Sequence, residues 1–456
     1  MEPLDVLVIG GGITGAGILR DCALRGLKAA LVEKGEPGLG TTANSTHLIH
    51  GGLRYLLYDR FETHTSSWDS GHILRIARPL LKRLPILWPI YSGHAHGIEN
   101  AETVLEAYEP FQKMKGAKPH LRLSREEVLR AAPQLKEEGL KGGLCFDEWL
   151  VDPVRLVTQN IDSAVRRGAT AHYHAEFIEP LWSGPGKGRM AGALVRRAGQ
   201  AEAQAMPARL VVNAAGPWAA DVAKRSNTDI RLRLQQGTHL VYEGNLTPIG
   251  LLLEAVDRKR YLFVVPMGHK TFVGPTDIPT SNGPDHLKPQ EDEIKYLLDS
   301  AKRFLPQFNE RFTALACGSR PILDQPGGEK LLSRDYQIFD HEKLERISGC
   351  VSVAGGKMSA FRIMAEDTVD VICEKLGVAD KCRTHLETLD GKPVANVPDD
   401  RLPPKNLKAF FNRHPRLREL YALSHLGAQS LKHWTAKLSR TPNSAAPDLL
   451  KYYTDP

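Results

Sequence analysis

The chain has 456 residues, of which 42% are hydrophobic and 25% charged, with a formal net charge of +7. That length and balance suit a soluble globular protein of two or three domains, and the longest apolar run, LPILWPIY from Leu84, is too short and proline-rich to span a bilayer. The six cysteines (Cys22, Cys145, Cys317, Cys350, Cys373 and Cys382) form no C-x-x-C pair, which argues against zinc, iron–sulfur and disulfide frameworks, fits a reducing compartment, and leaves no metal expected.

A core strand is predicted from Leu4 with no basic segment before it, so no secretory signal is expected. Val6 to Ile9 is a continuous apolar run of the kind that a parallel strand covered on both faces shows. Gly10, Gly12 and Gly15 follow with G-x-G-x-x-G spacing. A helix comes next, with Ile18, Leu19, Cys22 and Ala23 on its apolar side, Arg20, Asp21 and Arg25 elsewhere, and Gly26 at its C-terminal stop. KAALVE then reads as a second buried strand ending in Glu33. Each part has a physical role: Gly10 permits the tight turn, Gly12 admits a pyrophosphate to the backbone, and Gly15 lets the helix pack on the sheet. The helix start offers free N–H groups and a partial positive charge, and Glu33 is placed to accept from a ribose. The pattern predicts a dinucleotide site, without separating FAD from NAD.

Further along, HLIHGGLRYL from His47 crowds two histidines, two glycines and an Arg-Tyr pair into one short stretch. Three later segments read as returns to the nucleotide-binding layer. They are a helix over Leu156–Val165 with a strand after Gly168, the strand–turn–helix of ARLVVNAAGPWAADVAKR, and a strand from about Ile347 to Val353 followed by a long helix starting near Met358. Between them, RYLFVVPMGHKTFVGPTD reads as an antiparallel pair around Gly268, flanked by the candidate strands RLRLQQGTHLVYE and ALACGSRPILD. The expected fold class is α/β, with a Rossmann-like domain (1–80, 146–230, 326–389) interrupted by an antiparallel β-rich substrate domain (81–145, 231–325). A proline-rich linker and a short, basic, helical C-terminal region occupy 390–456. Residues 401–456 hold ten Lys/Arg against three Asp/Glu, so this tail carries the whole charge excess. It suits nucleic acid, an anionic membrane surface or an acidic ligand, and equally a solvated basic face.

Seven motifs together resemble the FAD-dependent glycerol-3-phosphate dehydrogenases: VIGGGITGAGILRDCALRG, GTTANSTHLIHGGLRYL, NAAGPWA, RYLFVVPM with FVGPTD, GSRPIL, SRDY and VAGGKMSAFR. The resemblance implies non-covalent FAD and oxidation of sn-glycerol 3-phosphate to dihydroxyacetone phosphate by hydride transfer to flavin N5. It implies electrons passed to a membrane quinone rather than oxygen, and a cytoplasmic protein peripheral on the inner face of the membrane. A homo-oligomer is compatible with it. Four departures stand out. His47 sits where the family commonly has lysine or arginine, Pro275 makes GPTD of GTTD, and Ser359, Ala360 and Phe361 make GGKMSAFR of GGKLTTYR. The C-terminal helical region is also shorter than usual.

On that resemblance, Gly51 and Gly52 let backbone lie against the flat flavin ring, with Leu53 beside them. The other cofactor residues are Gly10, Gly12, Thr14, Gly15, Glu33, Lys34, Thr41, Thr42, Ser45 and Gly216, with Gly356, Lys357, Met358 and Ser359 near flavin N1. Arg54, Arg320 and Arg334 match the family's phosphate-side arginines, with Tyr55 beside Arg54; planar guanidinium groups suit a phosphate monoester. His50 is the first choice of base. Lys357 is the rival, as a lysine buried among arginines gives up its proton more readily. The plainer readings are a ring-packing His50 and arginines held in structural ion pairs. LPILWPIY serves either membrane contact or core. The competing functions are a related flavin oxidase or dehydrogenase acting on an amino or hydroxy acid and, lower, a nucleic-acid-binding flavoprotein; with no recognised nucleic-acid module, no nucleic-acid partner is expected.

Overall fold

The computed structural model describes residues 3–57, 60–184, 186, 188–324, 335–397 and 417. Arg334 and nearly all of the basic tail lie outside the described residues.

One sheet carries the nucleotide-binding layer. Strand β1 (Leu4–Ile9) lies parallel between β2 (Ala29–Val32) and β10 (Gln204–Asn213), with Val8 opposite Leu31 and Val212. Its side chains from Val6 to Ile9 are buried, which is why the sequence shows a run rather than an alternation. The three expected returns all join this sheet: β7 (Thr170–His172) beside β2, β10 beside β1, and β18 (Cys350–Gly355) beside β10. β18 starts three residues later than expected, because Arg346 and Gly349 both take positive φ and hold the chain out of extended form. β17 (Tyr336–Asp340) closes one edge antiparallel to β18, and the pair β8 (Ala175–Trp182) and β9 (Met190–Arg197) extends β10.

Helices α1 (Ile13–Leu24), α5 (Pro153–Val165) and α9 (Phe361–Leu376) pack together on this sheet. α5 is started by Asp152, whose carboxylate accepts from the Val154 and Arg155 amides, with Pro153 at the first helical position. α9 is preceded by a 3-10 turn over Met358–Ala360, so the helix expected near Met358 becomes α-helical only at Phe361. α1 is not amphipathic in fact. Arg20, Asp21 and Arg25 are as buried as its apolar face, because the segment after α9 lies over them. Arg20 donates to the Thr384 and Glu387 carbonyls, and Arg25 pairs with Asp21 and Asp370.

The second sheet is mainly antiparallel. Its order runs β15 (Ile278–Thr280), β11 (Leu232–Glu243), β14 (Lys270–Gly274), β13 (Tyr261–Met267), β12 (Gly250–Glu254), β4 (Leu81–Tyr91), β6 (Leu140–Val151), β3 (Leu48–Ile49). β16 (Ala314–Leu323) pairs with β11 and β5 (Leu121–Leu123) with β6. The β13–β14 pair turns at Gly268, at φ +62°, as the sequence pattern requires. β4 contains LPILWPIY, and every residue from Leu84 to Tyr91 is buried between β6 and β12. This overturns the membrane-contact reading of that run. Helices α2 (Arg60–Ile76), α3 (Ile98–Met114), α4 (Arg125–Ala131) and α7 (Glu291–Lys302) cover parts of the molecule around it, while α6 (Ala219–Arg225) and α8 (His341–Glu345) return to the first sheet. Among the described residues, no helix is long and apolar enough to cross a membrane. β3 pairs with β6, so the stretch entering His50 belongs to the second sheet while the glycine turn belongs to the first. The space between the two sheets is thereby framed from both sides.

Candidate active site

A cavity of about 630 Å3 lies between the sheets and is lined from both. At one end is the β1–α1 turn. Gly10 has φ +108°, and a Cβ there would stand 2.6 Å from the Ala214 carbonyl. A Cβ on Gly15 would fall 1.9 Å from the Gly10 carbonyl, so this helix can pack so close only with glycine. A Cβ on Gly12 would meet nothing nearer than Thr42 Oγ1 at 3.6 Å, which leaves its backbone bare to the cavity. α1 has no acidic residue in its first turn, and the Ile13 amide is held by Thr42 Oγ1 at 3.3 Å. A bare glycine backbone before a helix N-terminus with no acidic residue fits the pyrophosphate of a dinucleotide.

The other walls continue that fit. Glu33 lines the cavity with its carboxylate fixed by the Gly11 amide (2.7 Å) and the Gly35 amide (2.8 Å). Lys34 lies over the Trp218 ring, 4.2 Å from its centre, and pairs with Asp285 from the other sheet's loops at 2.6 Å. Thr14, Thr41, Thr42, Ser45, Gly216, Gly356, Lys357, Met358 and Ser359 also line it, with Thr41 donating to the Ser319 carbonyl at 2.6 Å. Gly15, Gly51, Gly52 and Leu53 do not. Gly51 and Gly52 are buried, and glycine is required there from behind. A Cβ on Gly51 would stand 2.0 Å from Ser67 Oγ and 2.6 Å from Tyr108 Oη, and one on Gly52 2.3 Å from the Tyr55 ring.

At the far end the cavity brings together His50, Tyr55, Arg320 and Lys357. Burial pushes the His50 imidazole down to about 3, helped by the positive charges of Lys357 and Lys115. It is therefore neutral at neutral pH, with a lone pair to offer, while the same burial disfavours the charged form it would reach on taking a proton. Lys357 has an acidic partner beside it. Its ammonium is 3.1 Å from Glu62 Oε1, 3.4 Å from Ser66 Oγ and 3.8 Å from the centre of the Tyr55 ring. The counter-charge from α2 gives it an orienting tether that the sequence did not suggest. Arg320 faces the cavity and is also ion-paired, to Asp277 Oδ1 at 3.2 Å. Arg54 shares that carboxylate at 3.6 Å, but its side chain is 57% exposed and stands outside the cavity lining. The placement of Arg334 falls outside the described residues.

Sequence reading missed the groups behind this end. Tyr108, Glu148 and Lys115 form a buried cluster under Gly51: Lys115 Nζ reaches Glu148 Oε2 (2.5 Å) and Tyr108 Oη (3.2 Å), and Tyr108 donates to Glu148 Oε1 (3.0 Å). The Gly51 amide donates to Tyr108 Oη. His47, at φ +59°, is buried against Phe272, and burial lowers it to about 4. A neutral ring thus fills the place of the cation that the resemblance implies. Of the carboxylates that partner Lys115, Lys357 and Arg320, Asp277 had a sequence signal, as the last residue of GPTD.

The sequence profile described as FAD dependent oxidoreductase (DAO) matches residues 5–361. An aerobic glycerol-3-phosphate dehydrogenase of Staphylococcus haemolyticus is 32% identical over 410 residues, covering 86% of this chain and 72% of that protein. Among solved structures, the glycerol-3-phosphate dehydrogenase of Bacillus halodurans complexed with FAD superposes with a TM-score of 0.68 at 26% identity, over 84% of this chain and 67% of that one. A glycine oxidase from Geobacillus kaustophilus shares the fold (TM-score 0.61, 19% identity, 82% of this chain and 95% of that one).

Proposed function

The chain belongs to the FAD dependent oxidoreductase family, in its glycerol-3-phosphate dehydrogenase branch, and from that premise we propose that the cavity oxidises sn-glycerol 3-phosphate to dihydroxyacetone phosphate and delivers the electrons to a quinone. One observation carries the reading. The glycine cradle with its helix N-terminus and the His50–Tyr55–Arg320–Lys357 group are the two ends of a single cavity.

Oxidising the C2 alcohol removes a proton from oxygen and a hydride from carbon. FAD, when bound, supplies the acceptor for that hydride. The chain's residues do the rest. Gly12 and the first turn of α1 would receive the pyrophosphate, and Glu33 would face the ribose. His50, neutral and facing the cavity, takes the hydroxyl proton. Lys357, tethered by Glu62, orients the hydroxyl oxygen against that base. Arg320, anchored on Asp277, takes the phosphate, each charge-assisted hydrogen bond contributing about 1.5–3 kcal/mol. Two such contacts separate the phosphate ester from glycerol by several orders of magnitude. The Lys357 amide, ahead of the Met358–Ala360 turn, would place partial positive charge near the ring, while the Gly356 amide is held by the Asp335 carbonyl at 3.2 Å. The basic stretch 401–456 adds attraction to anionic headgroups, about 1 kcal/mol per nearby Lys/Arg, which brings the protein to its acceptor.

The acceptor is tested by reoxidation. Enzyme reduced by the substrate is mixed with a soluble quinone analogue or with oxygen. Faster return of flavin colour with the quinone is the expected result; fast return with oxygen and none with the quinone would make the protein an oxidase.

A further inference from the structure

Among the described residues, three arginines from separate parts of the chain meet at one carboxylate. Arg54 stands on the 3-10 turn Leu53–Leu57, Arg260 immediately before β13, and Arg320 within β16. Their guanidinium nitrogens lie 3.6, 3.9 and 3.2 Å from the Asp277 carboxylate, whose side chain is only 11% exposed. Arg260 also donates to the Asp277 carbonyl at 2.5 Å.

Asp277 has a rigid support. The preceding Thr276 gives its amide to the Thr238 carbonyl (3.1 Å), takes the Thr238 amide on its hydroxyl (2.8 Å) and donates that hydroxyl to Glu293 Oε1. Glu293, buried on α7, also accepts from Gln236 Nε2 (2.6 Å) and Thr238 Oγ1 (3.0 Å). Arg320 is fixed from two further sides. Its Nη2 donates to the Thr276 carbonyl at 3.3 Å, and it lies flat across Gly237, where a Cβ would be 2.3 Å from Nη2. Three like charges on separate parts of the chain repel one another and would spread apart. A carboxylate between them offsets that repulsion and sets their spacing, while a guanidinium has more donors than one carboxylate takes.

We propose that Asp277 is a positioning residue that gathers Arg54, Arg260 and Arg320 into one anion-receiving group at the substrate end of the cavity, and that Arg260 belongs to that group. This rests on the phosphate-ester reading of the substrate. Arg320 is the member that lines the cavity, beside His50 and Tyr55. The other two widen the positive field at its mouth and share the charge of an arriving dianion.

The test compares steady-state kinetics of the FAD-loaded enzyme with Asp277→Asn and Arg260→Gln, using glycerol 3-phosphate as substrate and inorganic phosphate as competitor. Asp277→Asn is expected to raise KM and the phosphate inhibition constant together, about tenfold or more, with kcat within about threefold and FAD content unchanged. Asp277→Glu, which restores the charge on a longer arm, is expected to recover part of the loss. Arg260→Gln, at an exposed side chain, is expected to move the same two constants in the same direction, and it decides the matter if the Asp277 variants fail to fold. An unchanged or lowered KM in both variants, or a fall in kcat at constant KM, overturns the proposal. Wild-type enzyme that glycerol 3-phosphate does not reduce would instead sink the substrate reading itself.

Discussion

Lys115→Met removes one member of a charge pair that is fully inside the protein. The Lys115 and Glu148 side chains are 0% and 3% exposed, at 2.5 Å from each other. Burial pushes the lysine down and the glutamate up, and their mutual contact opposes both shifts. With the ammonium gone, Glu148 keeps Tyr108 as a hydrogen-bond donor but is left a buried carboxylate without its counter-ion. The cost of breaking such a pair from one side is about 3–5 kcal/mol, a third or more of the stability of many domains. Lys115→Met/Glu148→Gln removes both charges and should lose less than Lys115→Met alone, because no ion remains unpaired. Since the Gly51 amide hangs on Tyr108 Oη, the single variant also loosens the turn after His50, and kcat should fall with it. Urea unfolding of the FAD-loaded protein, followed by fluorescence, reads the stabilities. A Lys115→Met loss below about 1 kcal/mol, or a double variant as unstable as the two single losses added, would refute the reasoning.

Gly15→Ala should abolish FAD retention, because the new Cβ would fall 1.9 Å from the Gly10 carbonyl and force the turn open; the flavin-to-protein absorbance ratio of purified protein checks this. Arg320→Ala should raise KM for glycerol 3-phosphate by about tenfold to a hundredfold with FAD still bound, and loss of the cofactor instead would misplace that residue. Acid should destabilise the fold well above the carboxylate range. Burial, first among the causes, lowers His47 to about 4 and His72 and His239 to about 3, against 6.5 when unfolded. Between those values the unfolded chain binds more protons, so this stability is complete above pH 6.5 and is lost as pH falls toward 4 and then 3. Each histidine contributes up to about 1.4 kcal/mol per pH unit. A urea midpoint that stays flat from pH 7 to 5 would contradict it.

The glycine turn and the three strands that return to the first sheet were legible because they depend on local chemistry. φ-permissive residues sit where the backbone needs them, and unbroken apolar runs mark strands covered on both faces. What was not legible depends on partners distant in sequence. Arg20 and Arg25 lie off the apolar side of α1 in the sequence pattern, yet they are buried against Thr384, Glu387 and Asp370. The Glu62 partner of Lys357 was not legible, because it comes from a helix almost three hundred residues earlier in the chain. LPILWPIY has the composition of a surface anchor and the place of a central strand, because β6 supplies a full-length neighbour that periodicity alone does not reveal. The glycines of HLIHGGLRYL were read for what lies in front of them, whereas Ser67, Tyr108 and the Tyr55 ring crowd them from behind.

Anaerobic titration of the yellow holoenzyme with glycerol 3-phosphate puts the whole arrangement to a direct test. The flavin band should bleach with a stoichiometry of one substrate per cofactor, and dihydroxyacetone phosphate should appear in equal amount. A band that persists with this substrate, yet bleaches with an amino or hydroxy acid, would mean that the arginines at the far end of the cavity receive a carboxylate, and the account would fail.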